Sequence, residues 1–583
     1  MVRETMKFRA LSLVMLLLSV ASHAGLTSAS NGNGSSQINS SDLDADVVFR
    51  GEHIITLSDI DSVVNLVAVK ADKIVFVGDA EQWQGRVGKT VELGESALLP
   101  GFIDAHGHIS FYASVAGMAN VASPPVGPAE NMAGLRQVLK TYIQTRELAE
   151  DAWIVGLGYD DSLLEEGRHP TIEDLDQVSA THPILLMHVS GHLAAVNSRA
   201  LQIAGINEAS ENPPGGVIRR FPDSQRPNGV LEESATYAVH RFQVPSENPL
   251  DDLHRGLQEY ASYGITTAQD GGTSAASIGM FEAASQAKPF PIDVVAFRRV
   301  QEKDLLDPSL KEIHSRDYIN GFRVGGIKII LDGSPQGKTA YLSEPYEVPP
   351  QGKAADYRGY PIMPATAIDA LFAKFVAAGT PILAHANGDA AADLFLNALE
   401  QGLDLDHLPD HRTVMIHAQT VREDQLDRFA MMKVIPSYFS AHTFYWGDWH
   451  RDSVLGLRRA SRISPTASSL KKDILFTVHN DAPVVPPDML RLVWATANRL
   501  TRSGQTLGSA QKISVYEALK AVTINAAYQY FEENNKGSIQ VGKQADLVIL
   551  SKNPLMVSPS DLLNIEVVRT IARGKTVYLG EKN

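Results

Sequence analysis

The sequence predicts an α/β protein: a (β/α)8 TIM barrel with a composite β-sandwich domain built from both termini and a large insertion over the barrel mouth. Short apolar runs that end in polar residues alternate with helical stretches through the middle of the chain, the mark of a parallel α/β fold. Eight such runs can be counted, the number a TIM barrel requires. Both ends of the chain are β-rich instead, with turn residues between the runs.

The elements follow in chain order. Arg3, Lys7 and Arg9 precede an apolar run, Ala10 to Val20, and the small residues Ser22 and Ala24 follow it. This reads as a cleaved signal peptide over 1–24, which directs the protein to the periplasm or a secreted location. A membrane anchor is the other reading, but the run is shorter than the ~20 residues a span needs. Residues 25–42 are rich in Ser, Asn and Gly and read as a flexible leader. The first part of the β-sandwich spans 43–99, with strands expected at Val47–Phe49, His53–Leu57, Val63–Val69 and Lys73–Val77. The second part spans 537–583, with strands at Ala545–Leu550, Val567–Ile571 and Lys575–Leu579. Two unrelated terminal hairpins are the other reading.

The barrel domain spans 100–500, and further helices of the barrel span 501–536. Its strands are expected at Phe102–His106, Gly264–Asp270, Ile292–Phe297, Val324–Leu331, Pro381–His385, Thr413–His417, Lys433–Tyr438 and Ile474–Asp481. Helical stretches such as Ala367–Ala378 and Ala390–Gln401 fall between them. The segment 109–263 is too long for a loop and reads as the insertion, with its own strand at Pro183–Val189 and a turn cluster at Asn212–Gly216.

Composition bounds the chemistry. The chain has 583 residues, 44% hydrophobic and 20% charged, which is ordinary for a globular protein. It contains no cysteine, so disulfides, cysteine nucleophiles and thiolate metal sites are excluded. Any metal must be held by histidine, carboxylate or a modified side chain. The formal net charge is −15 with no basic block, which argues against a nucleic-acid partner. No second long apolar stretch appears, so no stable membrane insertion is expected once the signal is removed. The expected partner is a small-molecule substrate, and self-association into a homo-oligomer stays open.

Chemistry-bearing residues gather at the ends of the expected strands. His106 and His108 close the first, and a two-residue period puts both on one strand face. His385, His417 and Asp481 close three later strands, and Lys328 sits inside the apolar run Gly326–Ile330. A lysine there is costly if charged and unpaired; Asp332 is a candidate partner. Asp481 can also be read as a helix N-cap. Taken together, four imidazoles, a carboxylate and a buried lysine come from five strands of one barrel, whose C-terminal rim is where barrel enzymes work. Imidazole and carboxylate are zinc ligands, and an open coordination position activates water.

These residues stand in motifs that resemble the amidohydrolase superfamily, and within it the family 3, YtcJ-like group of metal-dependent hydrolases. The carriers are Pro100-Gly101-Phe102-Ile103-Asp104-Ala105-His106-Gly107-His108, Ser190-Gly191-His192 with Asn197–Leu201, Asn212–Gly216, and Asn228–Glu233. They continue with Lys328 and Asp332-Gly333-Ser334, His385–Asp389, His417-Ala418-Gln419, Asn480–Pro483 and the tail Gly537–Leu547. The resemblance runs from about residue 43 to 580. It implies that His106 and His108 hold a first metal, that a carboxylated Lys328 bridges two, and that His385 and His417 hold the second. Asp481 is implied to bind metal and take a proton from the attacking water, and His192 to sit near the substrate as a second catalytic residue. Asn387 and Asp389 would support these ligands from behind, while His479 is expected to pack structurally.

The function expected is metal-dependent hydrolysis of a non-peptide C–N bond, of amide or N-formyl type, with one or two zinc ions and Asp481 as general base. Hydrolysis of an ester, lactone or cyclic amide by the same chemistry is one alternative. A non-catalytic binding or regulatory protein on a degenerate scaffold is another; it implies lost ligands, yet all six positions are filled. The aromatic segment 440–450 reads as a substrate wall through His442, Tyr445 and Trp446, or else as loop packing.

Overall fold

The computed structural model describes residues 44–58, 64–115, 117–146, 148–149, 151–240, 248–310, 313–350 and 352–580. The expected signal peptide and leader lie outside the described residues.

The β-rich termini form two four-stranded sheets. One contains Ala45–Arg50, Leu66–Lys70, Lys73–Gly78 and Val87–Glu92. The other contains Ala97–Pro100, Leu547–Leu550, Val567–Ala572 and Lys575–Leu579, all antiparallel. Ala97–Pro100, from the N-terminal part of the chain, pairs with Leu547–Leu550 from the C-terminal part, so one sheet ties both ends of the chain together. Phe49, Val67 and Val69 of the first sheet share an apolar core with Leu98, Leu547, Ile549 and Ile571 of the second. One expected strand is corrected. His53–Leu57 makes only an isolated bridge, Ile54 to Leu98, because Leu57 turns the chain with a positive φ of 50°.

All eight expected barrel strands belong to one parallel sheet, ordered as they occur along the chain: Phe102–Ile103, Ile265–Thr273, Asp293–Arg299, Phe322–Ile330, Ile382–Ala386, Val414–His417, Ile435–Tyr438 and Thr477–Val478. The two edge strands meet beyond their C-terminal ends. His108 N–H donates to Ala482 O at 2.9 Å, and Asp481 N–H donates to His106 O at 3.2 Å. This is a TIM-like arrangement. The strands are apolar throughout because both faces are covered. Ile327, Ile329, Ile382 and Ala384 pack outward against Leu371, Phe372 and Phe395 of the surrounding helices. Ile103, Val295, Leu383, Ile416 and Ile435 fill the interior, and Tyr530 closes it from below.

The segment between the first two barrel strands is more structured than its single expected strand. It folds into a six-stranded sheet of Gly216–Arg220, Pro227–Glu233, Leu193–Val196, Ile184–His188, Ile154–Tyr159 and Ala119–Asn120. Alternation gives this sheet two cores. Ile184 and Leu186 face Leu135 and Leu139 of the helix Met132–Arg146, while Leu185 and Met187 face Leu201 of the helix Ser198–Ala204. The ends of the segment differ: Ile109–Val115 and Pro249–Ser262 pack into the outer core of the barrel through Ile109, Leu253 and Leu257.

The barrel joins the terminal sheets through a buried ion cluster. Lys536 Nζ lies 2.5 Å from Asp293 Oδ2, 3.1 Å from Glu532 Oε2 and 3.8 Å from Asp546 Oδ2. Burial alone would raise the Glu532 carboxyl, but Lys536 and Arg323 outweigh it and hold it down at about 2. Two outcomes are expected. Lys536→Met removes the cation shared by three buried carboxylates, leaving Glu532 to Arg323 and Asp293 to Arg573, and should cost about 3–5 kcal/mol of stability, read as a lowered unfolding midpoint in denaturant. Because the folded pKa of Glu532 lies below its unfolded value, its contribution is complete above ordinary carboxylate pH and is lost as pH falls toward 2; acid titration of stability in wild type and Glu532→Gln should show the difference shrink over that window.

Candidate metal centre

The strand ends bring the six expected ligands into one cavity of about 470 Å³ lined by His106, His108, Lys328, His385, His417 and Asp481. His192, from the six-stranded sheet, lines it too. The backbone is forced into place at two of them: His417 has φ 73° and Asp481 φ 56°, left-handed values uncommon for residues other than glycine. Val414 and Ile416 both point into the barrel, so an extended continuation would turn His417 outward; its positive φ breaks that alternation.

Three of the four imidazoles, His106, His385 and His417, are oriented by a neighbour. His106 Nδ1 lies 2.5 Å from Gln269 Oε1, and the Gln269 amide donates to Ala105 O and Tyr530 Oη. The amide oxygen therefore faces His106, the ring proton sits on Nδ1, and the Nε2 lone pair faces the cavity. His385 Nε2 lies 3.1 Å from Gly333 O, which fixes its proton there and leaves Nδ1 free. That Nδ1 faces His417 Nε2 at 3.1 Å. His417 Nδ1 in turn meets His479 Nε2 at 3.2 Å, and His479 Nδ1 meets Ser437 Oγ at 3.1 Å. Burial keeps the His106, His385 and His417 rings well below the usual imidazole range, hence neutral and able to ligate.

The carboxylate completes the set. Asp481 Oδ1 is 3.1 Å from His108 Nε2 and 3.4 Å from His106 Nε2, and its Oδ2 is 3.9 Å from His417 Nε2. Oδ1 is buried yet has no hydrogen-bond partner among the described residues, because the neighbouring ring nitrogens are close but not aligned to donate. Burial works to raise the Asp481 carboxyl, but His417, His108 and His106 outweigh it and hold the group ionised. His106, His417 and Asp481 place one ligand atom each within 4.8 Å of one another. Neutral imidazole lone pairs around an unpartnered carboxylate oxygen fit a divalent cation of the zinc type, which accepts nitrogen and oxygen ligands. Lys328 Nζ lies 3.2 Å from His106 Nε2, and burial pulls its ammonium down to about 7 with Asp481 opposing.

Other expected residues fall elsewhere. Asp332 does not pair with Lys328. Its oxygens accept from the backbone N–H groups of Asn387, Gly388 and Tyr341, and it stands 3.5 Å from His385. Asn387 donates to Gly333 O at 2.9 Å, the same carbonyl that faces His385 Nε2, whereas Asp389 bonds to Ser343 and Arg422, away from the ligands. His192 Nδ1 bonds to Glu233 Oε2 at 2.9 Å. Burial opposes protonation of this ring, but Glu233 outweighs it and keeps the imidazole above its usual range. The aromatic segment is displaced from the ligands. His442 is buried against His450, Phe439 and Trp446, and lines no part of the metal cavity. Tyr445 and Trp446 line a neighbouring cavity instead, because Trp446 is drawn toward Asp160 by a 2.5 Å hydrogen bond. Nothing in the sequence marks Gln269 and His479 as orienting groups. Gln269 sits inside the second strand, and His479 shares Asp481's two-residue period; both signals are weak without the fold.

Comparison with known proteins agrees with this arrangement. The model of the amidohydrolase family matches residues 89–578. The YtcJ protein of Bacillus subtilis is 26% identical over 550 residues, 91% of this chain and 99% of its own length. The N-substituted formamide deformylase of Arthrobacter pascens is 24% identical over 553 residues, 91% and 98% of the two chains. A metal-dependent hydrolase of Pyrococcus horikoshii shares the fold with a TM-score of 0.67 and 22% identity, covering 88% of this chain and 99% of its own. A family match over most of the length, on a chain whose strand ends converge in this way, means that the chain belongs to the amidohydrolase family.

Proposed function

We propose that the protein hydrolyses a non-peptide C–N bond of a small molecule, an amide or N-formyl compound, with Asp481 as general base. The observation that carries this is the unpartnered Asp481 oxygen facing neutral imidazole nitrogens at the base of a cavity. The likeness to a formamide deformylase across nearly the whole chain supports the choice of bond.

His106, His108 and Asp481 would hold one divalent ion, and His385 and His417 a second, with Lys328 between them as an N6-carboxylated bridge. When bound, zinc lowers the pKa of a water toward neutrality and polarises a carbonyl. Asp481 takes a proton from the attacking water at Oδ2, the oxygen that is not set between His106 and His108. As the water oxygen joins the carbonyl carbon and the C–N bond breaks, Asp481 returns that proton to the leaving nitrogen. His192, whose Nδ1–H is spent on Glu233, offers its Nε2–H to the carbonyl oxygen as negative charge develops there. His479 acts as a positioning residue by holding His417 through its Nδ1. We also propose that residues 1–24 export the protein to the periplasm or the exterior, so that its substrate is met outside the cytoplasm.

Purified protein should carry one to two equivalents of divalent metal, and hydrolysis of a formamide panel should vanish on chelation; full activity in a metal-free sample would sink the mechanism. Asp481→Asn should lower kcat by about 10²–10⁴-fold, the range for a lost general base, and by more where metal is also lost. Lys328→Ala should lose metal and regain part of its activity with added short carboxylic acids; unchanged metal content in that variant refutes the bridge. His479→Gln should weaken metal binding by roughly 10–100-fold in competition with a chelator while the fold survives.

A further inference from the structure

Leu157, Val189, Pro483 and Val484 line two cavities at once. One is the metal cavity. The other, of about 420 Å³, lies beside it over the ends of the first, seventh and eighth barrel strands. Tyr112 and Val115 reach it from the helix that follows His108, Tyr445 and Trp446 from the segment after the seventh strand, and Pro483–Pro486 from the turn after Asp481. The wall is therefore built by the same turns that carry the ligands.

The polar groups of this wall are nearly all spent within the protein. Asp160 accepts from Ser162 at one oxygen and from Trp446 at the other. Glu259 bonds to Tyr112, Asn120 to Val126 and Ala122, and Ser123 to Ala129. Arg502 differs. One terminal nitrogen donates to Pro124 O, which pins the guanidinium, but Nη1 is buried and has no partner among the described residues. No carboxylate among the described residues lies within ion-pair distance of Arg502. Arg502 lines the aromatic chamber, and a guanidinium there with one N–H unmatched by the protein invites an anionic acceptor, since charge-assisted bonds to carboxylate are the strong ones.

We propose that this second cavity receives the non-reacting end of the substrate: an aromatic or bulky apolar group bearing a carboxylate that seats on Arg502. The assignment rests on the hydrolase reading above and narrows it, placing the scissile amide at the metal ligands and the carboxylated apolar body across the shared wall. Pocket walls built from apolar and aromatic side chains, with one placed polar group that fixes orientation, are the usual form of a small-molecule site.

The test uses the metal-loaded full chain and calorimetric titration with 3-phenylpropanoate and its neutral amide. The carboxylate is expected to bind roughly tenfold more tightly than the amide. Arg502→Gln should erase that preference, Arg502→Lys should restore part of it, and Val115→Trp should weaken both probes by filling the chamber. Equal affinity of the two probes for the wild type overturns the proposal without any variant. A preference that survives Arg502→Gln, or carboxylate binding indifferent to Val115→Trp, also overturns it, because the probe is then held at the metals. In parallel, turnover of N-formyl-4-(2-aminoethyl)benzoate is compared with that of N-(2-phenylethyl)formamide, and Arg502→Gln should raise KM for the first far more than for the second. No turnover of either formamide with the binding pattern intact overturns the hydrolase reading; turnover with the binding pattern absent overturns the assignment of this cavity.

Discussion

Two backbone hydrogen bonds, His108 N–H to Ala482 O and Asp481 N–H to His106 O, join the ends of the first and eighth strands. The site depends on that seam. It places two imidazoles and a carboxylate from opposite ends of a long sequence within about one hydrogen-bond length of each other. Without the seam, Asp481 would be a buried anion with nothing opposite it, which costs several kcal/mol. With it, the carboxylate has three rings beside it, and the electrostatic cost of burial is shared with groups that a cation would also need.

The rings themselves are kept neutral and turned by groups deeper in the barrel. Gln269 reaches His106 while its amide donates to Ala105 O and Tyr530, so the barrel floor is linked to the most deeply buried imidazole of the set. Ser437 and His479 do the same for His417, and Gly333 for His385. In each case one ring nitrogen is occupied from below and the other is left to the cavity. A neutral ring with a fixed tautomer is the form that ligates, and fixing it in advance removes the cost of ordering it later.

Much of this was legible in the sequence, and the reason is physical. Parallel strands covered on both faces read as short apolar runs, so a polar residue at the end of one stands out; that is why His106, His385, His417 and Asp481 could be found. The no-cysteine composition then narrowed the donors. The six-stranded sheet was missed beyond its Ile184–His188 strand because segments such as Leu193–Val196 are four residues long and look like loop or helix on periodicity alone. The aromatic segment was legible as aromatic but not as to place: Trp446 follows Asp160, a partner 286 residues away that no local pattern reveals. His479 reads as packing in the sequence because its role lies entirely in which ring it touches.

The backbone strain at His417 and Asp481 bears on why the ligands sit where they do. A left-handed residue other than glycine costs of order 1–3 kcal/mol and persists only where the surroundings over-determine it. Here they do. Ala418 N–H, one residue past the His417 turn, donates to Ala386 O, and Asp481 N–H is fixed by His106 O. His417 is the last residue of its strand and Asp481 lies three residues past its own, where the sheet no longer dictates alternation. A histidine or aspartate placed by regular strand geometry would point into the barrel or toward the helices, never along the strand axis. Bending the backbone at these two residues aims one imidazole and one carboxylate at the same point, so the donor set is defined by the main chain more than by side-chain reach. A shorter or longer side chain would then miss the point even if its chemistry were right.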